Sequence, residues 1–161
     1  MRCYLVRHGE AKGGVEDAAR PLSGRGREEV TRMARHVVAA GIRIAEIHHS
    51  DKLRARQTAE ILAEYLSPAR GIHEAEGLAP MDDPDTARAL IEAARGPLML
   101  VGHLPHLSRL ASALVLGDSE REILQFKAGA IACLDRVEGR FLLQWLLIPD
   151  LAGKSPSSSR R

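Results

Sequence analysis

The sequence predicts an α/β fold, a three-layer αβα sandwich with a mostly parallel central sheet and an antiparallel C-terminal hairpin. Short apolar runs alternate with segments whose apolar residues recur at helical spacing, which is typical of strands joined by crossover helices. The last two apolar runs flank Glu138-Gly139, a turn dipeptide that predicts a hairpin. A chain of 161 residues suits one domain, which we place at residues 1–152.

The first half of the chain alternates three predicted strands with two predicted helices. The strands are residues 2–7, 44–49 and 72–75. The first helix begins at Ser23 and ends before Gly41, since glycine commonly follows a helix. Its buried face consists of residues at helical spacing, namely Val30, Met33, Ala34, Val37 and Val38. Ser50 is predicted to be the N-cap of the second helix, which runs to about Leu66.

The second half continues the alternation and ends in the hairpin. The strands are residues 98–101, 130–136 and 140–148. Asp83-Pro84 predicts the start of a third helix, with the aspartate as N-cap and the proline in the first turn, and this helix ends near Gly96. A fourth helix has Pro105 near its start and Gly117 at its end. The Ser-rich, basic residues 153–161 predict a disordered tail.

Composition and charge exclude several classes of function. The net charge of only +2 gives no electrostatic case for binding nucleic acid. No apolar run approaches the roughly 20 residues of a membrane-spanning helix, and the apolar N-terminal residues indicate a strand rather than a signal peptide. We therefore expect a cytoplasmic monomer with no membrane partner. Cys3 and Cys133 lie in predicted strands, which favours buried thiols over a disulfide.

Two histidines follow strands whose ends should meet in the predicted sheet. Arg7 and His8 come directly after the apolar part of the first strand, and His103 comes directly after the fourth strand and Gly102. Ligands of such sheets bind beyond the carboxyl ends of the strands, so both imidazoles could face one pocket. Arg54 lies near the first turn of the second helix, where free backbone N–H groups and the helix dipole attract anions.

Together these residues suit a dianionic tetrahedral group such as a phosphoryl group. Guanidinium groups bind phosphate through paired hydrogen bonds, and a neutral imidazole is a competent nucleophile near pH 7. Gly9 would let a ligand approach the backbone beside His8. No carboxylate cluster or Cys/His spacing indicates a metal site, and the adjacent His48 and His49 would point to opposite faces of a strand. We therefore expect phosphate to be held by arginines, with no metal or other cofactor.

Four segments, in this order, resemble the histidine phosphatase superfamily, also called the phosphoglycerate mutase-like family. They are LVRHGE at 5–10, which contains the RHG signature, RPLSGRG at 20–26, SDKLRARQT at 50–58 and VGHLP at 101–105. The short chain and the RPLS and GHLPH segments are similar to the SixA-type phosphohistidine phosphatases of that superfamily. The resemblance covers about residues 1–150.

The resemblance implies a role for each matching residue. His8 matches the nucleophile that accepts the phosphoryl group, and Arg7, Arg54 and His103 match the phosphate pocket. His103, if protonated, would donate a hydrogen bond to a phosphoryl oxygen. Arg20 matches a residue near the pocket mouth that contacts phosphate or the substrate protein. The alternative, that Arg20 is a solvated residue leading into the first helix, stays open.

The proton donor is where this sequence departs from the larger members of the family, which carry a glutamate in a longer insertion. The segment between Leu62 and Pro97 is too short for a large cap domain in addition to a strand and a helix. Its loop contains Glu76, Asp82 and Asp83. Glu76 is the first candidate because it follows a predicted strand, whereas Asp83 is predicted to cap a helix.

Three functions fit these residues. The first is a metal-independent phosphatase that acts on phosphohistidine in a protein, such as a phosphotransfer domain of a signal transduction system. An imidazole leaving group needs little help from an acid, and an open site admits a protein side chain. The second is a phosphatase of small phosphomonoesters on the same scaffold. The third is a non-catalytic phosphate-binding module, which would have no need of a nucleophile at position 8.

Overall fold

The computed structural model describes residues 1–153, which form six strands, four α-helices and one short 3₁₀ helix. The rest of the predicted tail, residues 154–161, lies outside the described residues. The strands are β1 (Arg2–Arg7), β2 (Glu46–His49), β3 (Ile72–Glu74), β4 (Leu98–Gly102), β5 (Ile131–Val137) and β6 (Arg140–Leu147). The helices are α1 (Gly24–Ala39), α2 (Leu53–Leu66), α3 (Pro84–Ala93), α4 (His106–Leu116) and the 3₁₀ helix Pro149–Leu151. Within residues 1–153, no helix is long and apolar enough to cross a membrane.

The six strands form one sheet in the order β3-β2-β4-β1-β5-β6. Strands β3, β2, β4 and β1 are parallel, whereas β5 runs antiparallel to β1 and β6 runs antiparallel to β5. The prediction of a mostly parallel sheet with an antiparallel C-terminal hairpin is thereby confirmed. Because Arg7 of β1 pairs with Gly102 of β4, the residues that follow these two central strands emerge side by side at one edge of the sheet.

Each face of the sheet packs against one pair of helices. Side chains of β1 alternate between the faces. Cys3 and Leu5 therefore join the core under α3 and α4, while Tyr4 and Val6 join the core under α1 and α2. This arrangement confirms the three-layer αβα sandwich. Between α2 and β4 the described chain holds only β3, α3 and their loops, so it has no cap domain there.

Three predicted helix ends agree with the structure, two at N-termini that a side chain caps and one at a C-terminal glycine. The Ser23 hydroxyl accepts the Gly26 N–H at 3.0 Å at the start of α1. The Asp83 carboxylate accepts the Asp85 N–H at 2.9 Å at the start of α3. Gly117 ends α4 in the left-handed conformation, with φ +73°. These three assignments from the sequence are confirmed.

Two local predictions are wrong. The N-cap of α2 is Lys52 rather than Ser50, because the Ser50 hydroxyl lies against the ring of His103. Val38 is 41% exposed, because eight residues carry it about 80° around the helix from Val30, beyond the edge of the buried face.

The two cysteines lie in strands, as predicted. Cys3 and Cys133 are both buried and free. Burial raises the pKa of Cys3 to about 12 and also raises the pKa of Cys133. Both thiols therefore stay protonated, and the prediction of buried thiols without a disulfide is confirmed.

Candidate active site

The structure brings His8 and His103 together at the carboxyl ends of β1 and β4. The His8 N–H donates to the Gly102 carbonyl at 3.0 Å, which extends the pairing of the two strands by one residue. The centroids of the two imidazole rings are 4.9 Å apart. Only 9% of His8 and 2% of His103 is exposed. Two buried imidazoles in contact at a sheet edge are the centre of the candidate site.

The surroundings of the His8 ring define its protonation. Nδ1 of His8 lies 2.7 Å from the Gly9 carbonyl oxygen, which can only accept, so Nδ1 carries the hydrogen and Nε2 keeps a free lone pair. Burial is the main cause that lowers the pKa of His8 to about 4; the positive charges of Arg54, Arg7 and Arg20 act in the same direction, and the hydrogen bond to Gly9 acts against them. The ring is therefore neutral near pH 7, with Nε2 as its nucleophilic atom.

The loop after β1 is fixed by close packing, which is the reason for glycine at position 9. A Cβ on Gly9 would lie 2.6 Å from Cγ2 of Val30 and 3.2 Å from the Gly26 carbonyl oxygen. The Gly9 N–H donates to the Thr58 hydroxyl at 3.0 Å, and this hydroxyl donates to the Arg54 carbonyl at 2.8 Å. Gly9 thus seats the loop against α1 and α2, whereas the sequence interpretation gave it the role of admitting a ligand.

Within the described part of the chain, Arg7 and Arg54 supply guanidinium groups that keep unused hydrogen-bond donors. Nη1 of Arg7 donates to the Phe126 carbonyl at 2.8 Å, which anchors the side chain. Burial lowers the pKa of both arginines, and Arg20 lowers that of Arg54 further. Both remain charged near pH 7, since free arginine titrates far above it. The Nε–H of each is buried and has no acceptor within residues 1–153.

Arg20 lies at the exposed side of these residues. Its backbone has a left-handed φ of +49°, and its Nε donates to the Lys12 carbonyl at 3.2 Å. Its charge lowers the pKa values of His8 and Arg54, so it contributes to the positive potential of the site. We refer to Arg7, His8, Arg54 and His103, the residues predicted from the sequence to hold phosphate, as the phosphate pocket; the exposed Arg20 lies beside them.

His103 is neutral in the free protein and is bonded to a residue that the sequence interpretation assigned elsewhere. Its Nε2 lies 2.6 Å from the Ser50 hydroxyl. Burial, together with the nearby charges of Arg54 and Lys52 and the proximity of the His8 ring, lowers the pKa of His103 to about 3. The His103 ring is therefore neutral before a ligand binds, so a hydrogen bond that it donates to an arriving ligand comes from a neutral imidazole. The sequence offers only the position of Ser50 directly after a predicted strand, and the contact itself depends on the pairing of β2 with β4.

Glu76 lines an open cavity whose walls are rich in carboxylates. Glu76 is exposed, and the cavity has a volume of about 590 Å³. We call this the acidic cavity, because its lining includes the five carboxylates of Asp51, Glu74, Glu76, Asp82 and Asp83. Among the described residues, the lining of this cavity includes no member of the phosphate pocket. The role of Glu76 as proton donor therefore stays a prediction.

Three other histidines, His48, His49 and His73, make polar contacts within and beside strands β2 and β3. Nε2 of His48 and Nε2 of His73 lie 3.1 and 3.5 Å from the two carboxylate oxygens of Glu46 on strands β2 and β3. Nδ1 of His49 lies 2.8 Å from the Ser50 carbonyl. Within residues 1–153, no group of three or more His, Cys, Asp and Glu side chains has an arrangement that could hold a metal ion.

Two sequence comparisons relate this chain to known proteins. Residues 3–83 match the model of the histidine phosphatase superfamily, branch 1. An uncharacterised protein of Picosynechococcus is 36% identical over 139 residues, which cover 81% of this chain and 83% of that protein.

Two solved structures are similar over almost the whole chain. One is the protein histidine phosphatase SixA complexed with tungstate, with a TM-score of 0.83, 26% identity, and coverage of 93% of this chain and 98% of that one. The other is the α-ribazole phosphatase of Shigella flexneri, with a TM-score of 0.74, 16% identity, and coverage of 96% and 100%. The second match, at its lower identity, shows a shared fold alone.

Proposed function

Because the chain belongs to the histidine phosphatase superfamily, we propose that it dephosphorylates phosphohistidine in a protein, through a covalent phosphohistidine formed on its own His8. The observation that carries this proposal is the state of His8. The ring is buried and neutral, its Nδ1–H donates to the Gly9 carbonyl, and Arg7 and Arg54 lower its pKa. Its Nε2 is thus a nucleophile beside an anion site.

Arg7 and Arg54 hold the phosphoryl group in this proposal. A buried donor without an acceptor is costly, and each arginine keeps one such Nε–H within residues 1–153. Phosphoryl oxygens would accept from these guanidinium groups and would be stabilised by their charge as the transferred group becomes planar. Arg20 beside the pocket adds a third positive charge, and we propose that it contacts the phosphate or the substrate protein.

The first chemical step transfers the phosphoryl group to His8. Nε2 forms a bond to phosphorus while the bond between phosphorus and the substrate's imidazole nitrogen breaks. When the other nitrogen of the substrate ring already carries a proton, the substrate histidine leaves as a neutral imidazole. The positive charge that develops on the His8 ring is stabilised by the hydrogen bond from Nδ1–H to the Gly9 carbonyl.

The second step returns His8 to its starting state. Water attacks phosphorus, the bond between phosphorus and Nε2 breaks, and both protons of the water stay with the released phosphate. Neither step requires an enzymic acid when the substrate is phosphohistidine. For substrates whose leaving group departs less easily than imidazole, we propose Glu76 as the proton donor, because it is exposed in the loop that follows β3.

Two observations support a protein as the substrate. The similar structure with a TM-score of 0.83 is that of a protein histidine phosphatase. The described chain also places only β3, α3 and short loops between α2 and β4, which leaves the pocket without a cap domain that would enclose a small molecule. The shared fold with an α-ribazole phosphatase keeps small phosphomonoesters as the second substrate class to assay.

The experiment is an assay of wild type and His8→Ala against a phosphohistidine-bearing phosphotransfer protein and a panel of small phosphomonoesters. We expect wild type to act on the protein and to carry acid-labile phosphate on His8 during turnover. His8→Ala should lose at least about 10³-fold in rate, since the nucleophile is removed. His36→Ala is the matched control, because His36 is an exposed histidine on α1.

The outcomes separate the alternatives. Activity on phosphomonoesters with none on the phosphohistidine protein would assign the second substrate class. A wild-type rate in His8→Ala would overturn the covalent mechanism. Phosphate binding without turnover of any substrate would make the chain a binding module.

A further inference from the structure

We infer that Ser50 is a positioning residue that fixes the tautomer of His103 and so makes the His103 Nδ1–H a hydrogen-bond donor to the phosphoryl group. The role toward the phosphoryl group rests on the proposed function. The tautomer itself does not, because it follows from hydrogen bonds within the free protein.

The contact between Ser50 and His103 is short and shielded from water. The Ser50 hydroxyl oxygen lies 2.6 Å from Nε2 of His103. Ser50 is 1% exposed and His103 is 2% exposed. The Ser50 N–H donates to the Val101 carbonyl at 3.2 Å, so the backbone of Ser50 is held against β4, the strand that His103 directly follows. Both partners are shielded from solvent, and this backbone hydrogen bond helps to set the distance between them.

The direction of this hydrogen bond follows from counting donors and acceptors. The Lys52 N–H donates to the Ser50 hydroxyl oxygen at 3.3 Å. The hydroxyl has one proton to donate, and within residues 1–153 the only acceptor in reach is Nε2 of His103. If Nε2 carried a hydrogen, the hydroxyl proton would be buried without an acceptor. Ser50 therefore donates to an unprotonated Nε2, and the neutral ring carries its hydrogen on Nδ1.

The consequence is a directed donor beside His8. Nδ1 of His103 is buried and has no partner within residues 1–153, and the ring that carries it lies 4.9 Å from the His8 ring, measured between centroids. Burial lowers the pKa of His103 to about 3, which agrees with a neutral ring. A neutral Nδ1–H in this place can donate to a phosphoryl oxygen without a prior protonation of His103. This donor takes the place of the protonated His103 that the sequence interpretation considered.

The test begins with the free protein, through ¹⁵N NMR of its histidine side chains, with His103 assigned from the signals that disappear in His103→Gln. In wild type we expect His103 in the Nδ1–H tautomer. Ser50→Ala should move His103 towards the Nε2–H tautomer or a mixture, because the donor to Nε2 is removed. Ser50→Thr keeps a hydroxyl and should retain the wild-type tautomer. Ser112→Ala is the control, since Ser112 is equally buried and its hydroxyl has no partner within residues 1–153.

The second readout is binding of inorganic phosphate and, with an active substrate, kcat and KM. We expect Ser50→Ala to weaken phosphate binding and to lower kcat/KM by about tenfold, the loss of one charged hydrogen bond. Ser50→Thr should restore most of this loss, and Ser112→Ala should stay within about twofold. A Ser50 that only fills space would give the same results in Ser50→Ala and Ser112→Ala.

The inference is overturned if wild-type His103 carries its hydrogen on Nε2, or if Ser50→Ala leaves both the tautomer and phosphate binding unchanged. Failure of the proposed function looks different. In that case no substrate is turned over and His8 is never phosphorylated, while the tautomer and phosphate-binding results still decide the role of Ser50.

Discussion

The phosphate pocket and the acidic cavity lie near the same edge of the sheet, yet they differ in what holds their charged groups. In the pocket the imidazoles are buried, and the guanidinium groups of Arg7 and Arg54 keep donors that no group within residues 1–153 accepts. In the cavity Glu76 is exposed, the Asp82 carboxylate accepts a backbone N–H of its own loop, and the Asp83 carboxylate caps α3. Charge is present in both regions, but only the pocket combines it with burial and unused donors.

The difference shows which features indicate reactivity. Five carboxylates around an open cavity are solvated, and their charge is screened by water and salt. The pocket instead places cations next to imidazoles from which water is largely excluded, so that each charge acts strongly on its neighbours. The comparison predicts that changes in the pocket alter stability and catalysis together, whereas changes in the cavity leave the reaction on phosphohistidine almost unaffected.

The largest expected effect is the loss of stability at acid pH that the two buried imidazoles cause. The pKa values of His8 and His103 fall from 6.5 to about 4 and about 3 in the folded protein. Between pH 6.5 and these values the unfolded chain binds more protons than the native state, so the free energy of unfolding decreases as the pH falls. The slope is at most about 1.4 kcal/mol per pH unit for each histidine.

Denaturant unfolding as a function of pH measures this effect. We expect the wild-type free energy of unfolding to be unaffected by the two imidazoles above pH 6.5, and to fall progressively down to about pH 4 because of His8 and down to about pH 3 because of His103. His103→Gln should reduce the slope in that window, because one titrating group is removed. An identical slope in the variant would show that the pocket does not hold its histidines in the neutral form.

Next in size is the effect of Arg54→Ala on catalysis. Removing a charged hydrogen-bonding partner of the phosphoryl group should cost about 1.5–3 kcal/mol, which is roughly a 10- to 150-fold decrease in kcat/KM. Phosphate binding, measured by calorimetry, should weaken as well. Arg56→Ala is the matched control, because Arg56 lies two residues further along α2 and is paired with Glu60 at 3.3 Å. Equal losses in both variants would remove Arg54 from the pocket.

A smaller effect, on stability, is expected from Gly9→Ala. A methyl group there would press against Val30 at 2.6 Å and against the Gly26 carbonyl, which should destabilise the protein by about 1–3 kcal/mol. Gly24→Ala provides the comparison, since a Cβ at Gly24 meets no atom within 4 Å. Thermal or denaturant unfolding of both variants measures the difference. Similar stabilities would mean that the loop holding His8 can shift without cost.

Much of this site could be predicted from the sequence because strand ends are readable from apolar runs. Arg7, His8 and His103 follow such runs, and a parallel sheet gathers the ends of its strands at one edge. Ser50 could not be assigned in this way. A serine before a helix has the pattern of an N-cap, and its contact with His103 depends on the pairing of β2 with β4, which no local pattern specifies.

Gly9 shows a second limit of prediction from the sequence. A glycine beside a reactive histidine fits the approach of a ligand as well as it fits tight packing, and only the position of Val30 on α1 distinguishes the two. The same holds for Thr58, whose hydroxyl joins the Gly9 N–H to the Arg54 carbonyl. These contacts are made between segments distant in the chain, so they are fixed by packing rather than by spacing.

The smallest expected effect is that of Glu76→Gln on phosphohistidine as substrate, which should be less than about threefold, because a protonated imidazole leaving group needs little acid catalysis. The same variant should lose more activity on an alkyl phosphomonoester, whose alkoxide leaving group does need a proton. Glu74→Gln is the matched control, as it removes a carboxylate from the same cavity and should leave both activities near wild type. A large loss on phosphohistidine in Glu76→Gln alone would place Glu76 in the reaction and would join the acidic cavity to the phosphate pocket as one catalytic site.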